Sequence, residues 1–223
     1  MRTTGPNDAT APARRRDARR NRELLIEAAH EVFTEQGLHA PIDVIARRAG
    51  IGNATLYRHF PTRAALVDAV FRDLLTGTMT AGERARLADD ALAGLTGYLH
   101  TVFAGLAADR GTNDLMTTHL DGVDSLQAVH AHNRRTVEIL LSRGREQGTI
   151  RADVTPEDVL FALAALGRTV PSLTAAAGAD AWLRPLALLL DGLRGTPAAP
   201  PLPSPALTPA QLDKALQGLG PGS

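Results

Sequence analysis

The chain has 223 residues, of which 44% are hydrophobic and 22% charged, ordinary values for a globular protein of one or two domains. Cysteine is absent, so disulfide bonds, thiolate metal sites and cysteine nucleophiles are excluded. The net charge is zero, yet residues 1–75 carry 12 Arg against 9 acidic residues, and the remainder carries 12 basic against 15 acidic residues. The first 22 residues alone hold seven Arg and two Asp. Such a basic arm favours a nucleic-acid partner, or is a solvated, disordered end.

The beginning of the chain lacks the pattern of a signal peptide. The Arg-rich stretch Arg14–Arg22 leads into a charged, helix-like sequence at Glu23–Glu27 and not into an apolar run. No segment approaches the 18 or so consecutive apolar residues of a membrane span. We therefore expect a cytoplasmic protein without a membrane partner.

Residues 1–17 are predicted to be a disordered basic arm, because they contain prolines and small or charged residues. The first helix is predicted from about Ala18 to Gln36, since apolar residues recur there at helical spacing. Gly37 stands where a glycine commonly ends a helix. This helix opens a predicted domain over residues 18–78.

Two short helices are predicted next, within a motif of about residues 41–60. The first runs from about Pro41 to Ala49, and a tight turn of Gly50, Ile51 and Gly52 follows. Asn53 is predicted to cap the second, which ends near His59. Thr62 is predicted to cap a longer helix after Pro61 interrupts the chain. This pattern predicts a helix-turn-helix unit.

Everything from residue 79 to residue 195 is predicted to be helical, so the fold class is all-α. The sequence Thr155-Pro156-Glu157-Asp158 is a strong helix start, with a capping threonine, a proline and two acidic residues. Residues 111–123 are predicted to be a broken stretch. Residues 196–223 are predicted to be a Pro-rich tail with a short helix near Asp213–Leu219. The predicted helices of the larger domain are Leu87–Ala108, Ser125–Gln147, Thr155–Val170, which ends before Pro171, and Gly178–Leu193.

The second helix of the motif presents a polar face without a carboxylate. Its outward residues offer amide, methyl, hydroxyl, phenol, guanidinium and imidazole groups, and such a face suits the major groove of DNA. An ordinary helical hairpin with a solvated polar face is the alternative. The outward residues are Asn53, Ala54, Thr55, Tyr57, Arg58 and His59.

Many positions in fixed register between residues 19 and 75 resemble the DNA-binding domain of the tetracycline-repressor (TetR) family. Two positions differ from the family pattern: Arg63 stands in place of the usual lysine, and Pro41 in place of a threonine that contacts phosphate. Residues 143–158 are similar to sensor domains of some actinobacterial members. The matching residues are Leu24–Ala29, Phe33, Gly37, Ile45, Ala46, Ala49–Ile51, Thr55–Phe60 and Arg63.

The resemblance implies a dimeric regulator that binds a palindromic DNA operator and is released from it by a small-molecule effector. Asn53, Ala54, Thr55 and Arg58 would face bases. Phosphates and the groove edge would be contacted by Tyr57, His59, Thr62, Arg63 and Arg47. An activator, a regulator without an effector, and a helical adaptor without a DNA role are the alternatives.

The resemblance also implies an effector pocket in the larger domain. Mostly apolar walls with a few polar groups are typical of such sites, although each predicted residue has an ordinary core position as its alternative. The last two long helices are apolar on more than one face, which favours a homodimer over a monomer with a thick core. The predicted pocket residues are Phe103, Met116, His119, Asn133 and Val137.

No enzymatic motif is recognisable in the chain. His130 and His132 are two residues apart, so on a helix they point to nearly opposite sides and are poorly placed to share a metal. There is no phosphate-binding glycine loop, nucleophile elbow or zinc motif. We expect no catalytic residues, no metal site and no cofactor.

Overall fold

The computed structural model describes residues 10–117, 122–196 and 200–218, and these segments are all-α, as predicted. They contain ten helices. The helices are α1 (Thr10–Gln36), α2 (Ile42–Arg48), α3 (Asn53–His59), α4 (Arg63–Arg86), α5 (Ala91–Ala108), α6 (Arg110–Thr117), α7 (Asp124–Glu146), α8 (Pro156–Ala177), α9 (Leu183–Gly192) and α10 (Pro209–Gly218).

Two apolar cores are joined by α4 and α7. The N-terminal core contains the inner faces of α1, α2 and α3, the first half of α4 and the beginning of α7. The second core contains α5, α8, α9 and the later parts of α4 and α7. The long helices α4 and α7 pack side by side and contribute to both cores. A movement of α4 relative to α7 would therefore change the packing of both cores.

The beginning of α1 differs from the prediction. The helix begins at Thr10, so residues 10–17 of the predicted disordered arm are helical. Alanine and arginine are among the strongest helix formers, and Pro12 lies in the first turn, where its missing N–H has no helical partner to lose. Residues 1–9 lie outside the described residues.

Helix α8 also differs from the prediction, because it continues through Pro171 to Ala177. A proline inside a helix leaves the carbonyl four residues earlier without its donor, here that of Gly167. The side chain of Asn113 on α6 donates a hydrogen bond to this buried carbonyl, at 2.7 Å. A partner distant in sequence thus replaces the missing backbone bond, and the helix is not interrupted. The start of α8 agrees with prediction, since Thr155 and Asp158 form a capping box.

The last helix of the larger domain is shorter than predicted. Gly178 has a φ of 97° and ends α8, residues 179–182 form turns, and α9 begins only at Leu183. The tail after residue 200 lies against the domain. The Arg151 guanidinium donates to the Pro200 carbonyl at 2.7 Å, and the Asp153 carboxylate accepts from the Leu202 amide at 2.9 Å.

Candidate nucleic-acid interface and effector cavity

The turn between α2 and α3 has a fixed geometry. Gly50 has a φ of 66°, a left-handed conformation that glycine adopts without steric cost. The Ile51 amide donates to the Ala46 carbonyl at 2.9 Å, and the Gly50 amide donates to the Arg47 carbonyl at 3.2 Å. This pair of bonds is a Schellman motif, which ends α2 and directs the chain into α3. Asn53 is not the cap that was predicted: Gly52 is the N-cap residue, and α3 begins at Asn53.

Two arginines fasten this unit to its neighbours. Arg48 on α2 makes two hydrogen bonds to the Glu35 carboxylate on α1, at 2.7 and 2.9 Å. Arg63, the first residue of α4, donates to the carbonyls of Leu38 and Ala40 at 2.6 and 2.8 Å. Two of the donors of Arg63 are therefore engaged inside the domain, so fewer of its N–H groups are free for the phosphate contact that was predicted. A guanidinium fork of this kind fixes orientation better than a lysine ammonium does.

The outward face of α3 is exposed, as a DNA-reading helix requires. Asn53, Ala54, Tyr57 and Arg58 are exposed, and 51% of the Tyr57 surface is accessible although the residue is aromatic. Leu56 on the opposite side of α3 is fully buried. Thr55 is half-buried, and Arg47 on α2 is exposed. Six of the nine predicted DNA-contact residues are therefore exposed: Arg47, Asn53, Ala54, Tyr57, Arg58 and Thr62.

The end of α3 is less open than predicted. His59 is half-buried, and among the described residues its Nε2 has no hydrogen-bond partner. Burial lowers the pKa of His59, and the nearby positive charges of Arg58 and Arg22 lower it further. At neutral pH this imidazole is uncharged, so it offers a phosphate at most a neutral N–H. Thr62 caps α4 as predicted, its hydroxyl accepting from the Ala65 amide at 3.1 Å.

Helix α1 places its Arg-rich beginning beside α3. The Arg22 guanidinium lies over the ring of Phe60, 5.2 Å from its centroid, directly after α3 ends. The arginines before it, in Arg14–Arg20, are all exposed. The basic segment is thus a helical extension anchored at the end of the candidate recognition helix.

A cavity of about 260 Å³ lies between α4, α5 and α6. Of the five predicted pocket residues, Met116 lines it. His119 lies outside the described residues. The cavity is lined by Leu74, Gly77, Thr78, Thr101, Val102, Gly105, Leu106, Thr112 and Met116.

Three of the predicted pocket residues belong to the buried core and not to this cavity. Phe103 stacks on Trp182, with ring centroids 6.1 Å apart. Asn133 accepts a hydrogen bond from the Tyr98 hydroxyl, and burial raises the pKa of that tyrosine. Val137 is fully buried. None of these three residues lines this cavity, and their contact with an effector stays a prediction; apolar spacing identifies the inward face of a helix but not which inward residues border an empty volume.

Sequence reasoning missed the contacts between α6 and the end of α1. The Thr34 hydroxyl donates to the Asp109 carboxylate, and the Leu38 amide donates to Asp114 Oδ2 at 3.3 Å. These partners are 75 and 76 residues apart in sequence, so no local pattern identifies them. They connect a wall of the cavity to the loop that precedes α2. Within the described segments, no three His, Asp or Glu side chains are grouped so that they could hold a metal ion.

Two family models match the chain, one in each domain. The model described as "Bacterial regulatory proteins, tetR family" matches residues 25–70. The model described as "Transcriptional regulator SbtR-like, C-terminal domain" matches residues 90–195. The first match includes α2 and α3, and the second includes α5 to α9.

Individual relatives agree with these matches. An HTH-type transcriptional regulator of Staphylococcus aureus is 44% identical over 62 residues, which are 27% of this chain and 34% of the relative. The chain thus spans about a third of the length of the curated relatives it matches. A TetR transcriptional regulator from Streptomyces coelicolor is 28% identical, with a TM-score of 0.52 over 78% of this chain and 99% of that one. SmeT, the repressor of a multidrug efflux pump of Stenotrophomonas maltophilia, shares the fold at 21% identity, with a TM-score of 0.59 over 82% of this chain and 97% of that one.

Proposed function

Because the chain belongs to the TetR family of bacterial regulatory proteins, we propose that it is a cytoplasmic, homodimeric transcriptional repressor. It binds a palindromic operator in double-stranded DNA and is released from it by a small-molecule effector. The observation that best supports this function is the exposed, acid-free face of α3, on a unit that Arg48 connects to α1 and Arg63 connects to the loop before α2. A fixed orientation matters because base edges are read by hydrogen bonds of defined geometry.

In this proposal α3 enters the major groove. Asn53, Ala54, Thr55 and Arg58 read base edges, with Arg58 the strongest candidate for a bidentate contact to guanine. The phosphate contacts come from Tyr57, His59 and Thr62, and Arg47 lies at the groove edge. Arg63 contacts a phosphate less directly, because it also holds the loop before α2 through the carbonyls of Leu38 and Ala40.

The helical extension of α1 contributes phosphate contacts outside the major groove. Its exposed arginines in Arg14–Arg20 project from a helix that is already ordered by the Arg22–Phe60 contact. An ordered helix loses less conformational entropy on binding than a disordered arm would. The extension adds affinity for DNA of any sequence, because phosphates carry no base information.

The dimer in this proposal forms through α8 and α9. Helix α8 is apolar enough by composition to pass for a membrane span, yet only 22% of its most apolar window is buried within the chain. Phe161 on α8 and Leu183 and Leu188 on α9 are exposed. A second copy covering this face would bury these residues in an isologous interface. The same interface would set the two α3 helices about 34–36 Å apart, one turn of DNA.

The operator itself provides the first test. Duplexes selected from a random pool by the purified full chain should converge on a palindromic sequence. Arg58→Ala should weaken binding to that sequence by about 1–3 kcal/mol and relax the preference at particular base pairs. Arg135→Ala, which removes an equal charge from an exposed site on α7, is the matched control and should bind like the wild type. A pool that does not converge, or equal effects of the two variants, would contradict the proposed DNA role.

A further inference from the structure

The cavity between α4, α5 and α6 restricts the chemistry of the effector, a step that rests on the proposed function. We propose that its ligand is a neutral, largely apolar molecule of about ten non-hydrogen atoms that donates a hydrogen bond. The lining residues contribute no ionisable side chain. A charged group placed against this lining would lose part of its hydration without gaining a counter-charge, which is unfavourable.

Two of the three threonines that line the cavity, Thr78 and Thr101, favour a ligand that donates a hydrogen bond. The Thr78 hydroxyl donates to the Leu74 carbonyl at 3.2 Å, and the Thr101 hydroxyl donates to the Gly97 carbonyl at 2.9 Å. A hydroxyl has one proton and two lone pairs, so both side chains have only lone pairs to offer. A ligand with an O–H or N–H group complements the Thr78 and Thr101 hydroxyls, whereas a ligand with only acceptors finds no donor in these two side chains.

The size of the ligand follows from the volume. A protein cavity of about 150 Å³ holds benzene, which has six non-hydrogen atoms, so a cavity of about 260 Å³ holds about ten.

Two glycines line this volume. A Cβ atom added to Gly77 on α4 or to Gly105 on α5 would meet no atom within 4 Å. Glycine is a poor helix former, and packing supplies no reason for it at either position. By contrast, Gly82, Gly94 and Gly167 lie in helices where a Cβ would press against a neighbouring element. Gly105 is half-buried, so its missing Cβ leaves open space inside the cavity, whereas Gly77 lies at the exposed rim.

The test uses three probes that differ at one position: 4-propylphenol, propylbenzene and 4-propylbenzoate. Calorimetric titration of the full chain should give a Kd for the phenol about threefold to tenfold lower than for propylbenzene, the usual effect of one neutral hydrogen bond. The ionised benzoate should not bind. Equal or tighter binding of the benzoate, or no binding of either neutral probe, would overturn the inference.

Variants locate the binding in the cavity. Gly105→Leu should abolish phenol binding, whereas Gly97→Leu, the same change at an exposed position of α5 with open space around it, should preserve it. If Gly105→Leu does not fold, the Thr78→Val/Thr101→Val double variant still decides, because it should keep propylbenzene binding and lose the advantage of the phenol. Phenol binding that survives Gly105→Leu, or an advantage that survives the double variant, would refute the assignment.

A gel-shift assay on the selected operator separates this inference from the proposed function. Operator binding without probe binding would overturn the ligand class and leave the DNA role intact. Probe binding in the cavity without release of DNA would support the ligand class and contradict release by an effector.

Discussion

Replacing Asn113 with alanine should destabilise the fold by about 1–3 kcal/mol, because the buried Gly167 carbonyl would lose its donor. That carbonyl has no alternative partner in its own helix, since residue 171 is a proline without an N–H. Pro171→Ala supplies the missing amide. In the Pro171→Ala background, Asn113→Ala should therefore cost about 1 kcal/mol or less.

The four proteins of this double-mutant cycle should be unfolded in urea at one fixed protein concentration, because the stability of a dimer depends on concentration. In thermal scans the single Asn113→Ala variant should unfold about 2–12 °C below the wild type, at 2–4 °C per kcal/mol for a chain of this length. The coupling free energy between the two sites is the decisive quantity. If the two changes were additive within about 0.5 kcal/mol, the Asn113 side chain would not be replacing the backbone bond.

Three further outcomes are expected. Changing Arg14–Arg16 to alanine should reduce the slope of log K against log [salt] for DNA binding, by about one for each phosphate that the extension no longer neutralises. An unchanged slope would show that the α1 extension is not part of the interface. Leu188→Glu, at a position 65% exposed on α9, should give monomers with little operator affinity. The control Leu87→Glu, at a position 82% exposed between α4 and α5, should remain dimeric in sedimentation experiments. A dimeric Leu188→Glu protein would place the interface elsewhere. Burial, and then the charge of Arg86, lower the pKa of His132, so the unfolded chain binds the proton first and stability should fall as pH drops below about 6.5. Urea unfolding at pH 7 and 5 should show a smaller loss for His132→Leu than for the wild type, and equal losses would contradict the assignment.

Local chemistry predicted well wherever a structure is decided within a few residues. Thr62 and Thr155 were predicted as helix caps, and both side chains accept hydrogen bonds from the first turns of their helices. The helix-turn-helix unit depends on the spacing of Ile45 and Leu56 and on a glycine at residue 50, features that are visible in a short stretch of sequence. The elements around the site therefore followed from the sequence.

The errors occur where a distant partner changes a local preference. Pro171 predicts a helix end, but Asn113, 54 residues before Gly167, satisfies the carbonyl that the proline leaves free. Asn133 and Val137 have the spacing of inward-facing residues, yet the empty volume borders other turns of other helices. Glycines inside helices gave no local clue to the cavity, because Gly94 and Gly97 lie in the same helix as Gly105 without lining it.

In the proposed function, the position of α6 connects the cavity to the recognition helix. Thr112 and Met116 of α6 line the cavity, and Asp114 of the same helix accepts a hydrogen bond from the amide of Leu38, in the loop after α1. The carbonyl of Leu38 is held in turn by Arg63, at the beginning of α4, whose middle turns form another wall of the cavity. A ligand that separated α4 from α6 would pull the Leu38 loop from two sides, and this loop leads directly into α2. Because such a ligand changes an equilibrium only by its difference in affinity for the two arrangements, we expect the hydrogen bonds at Leu38 to transmit part of that difference to α3.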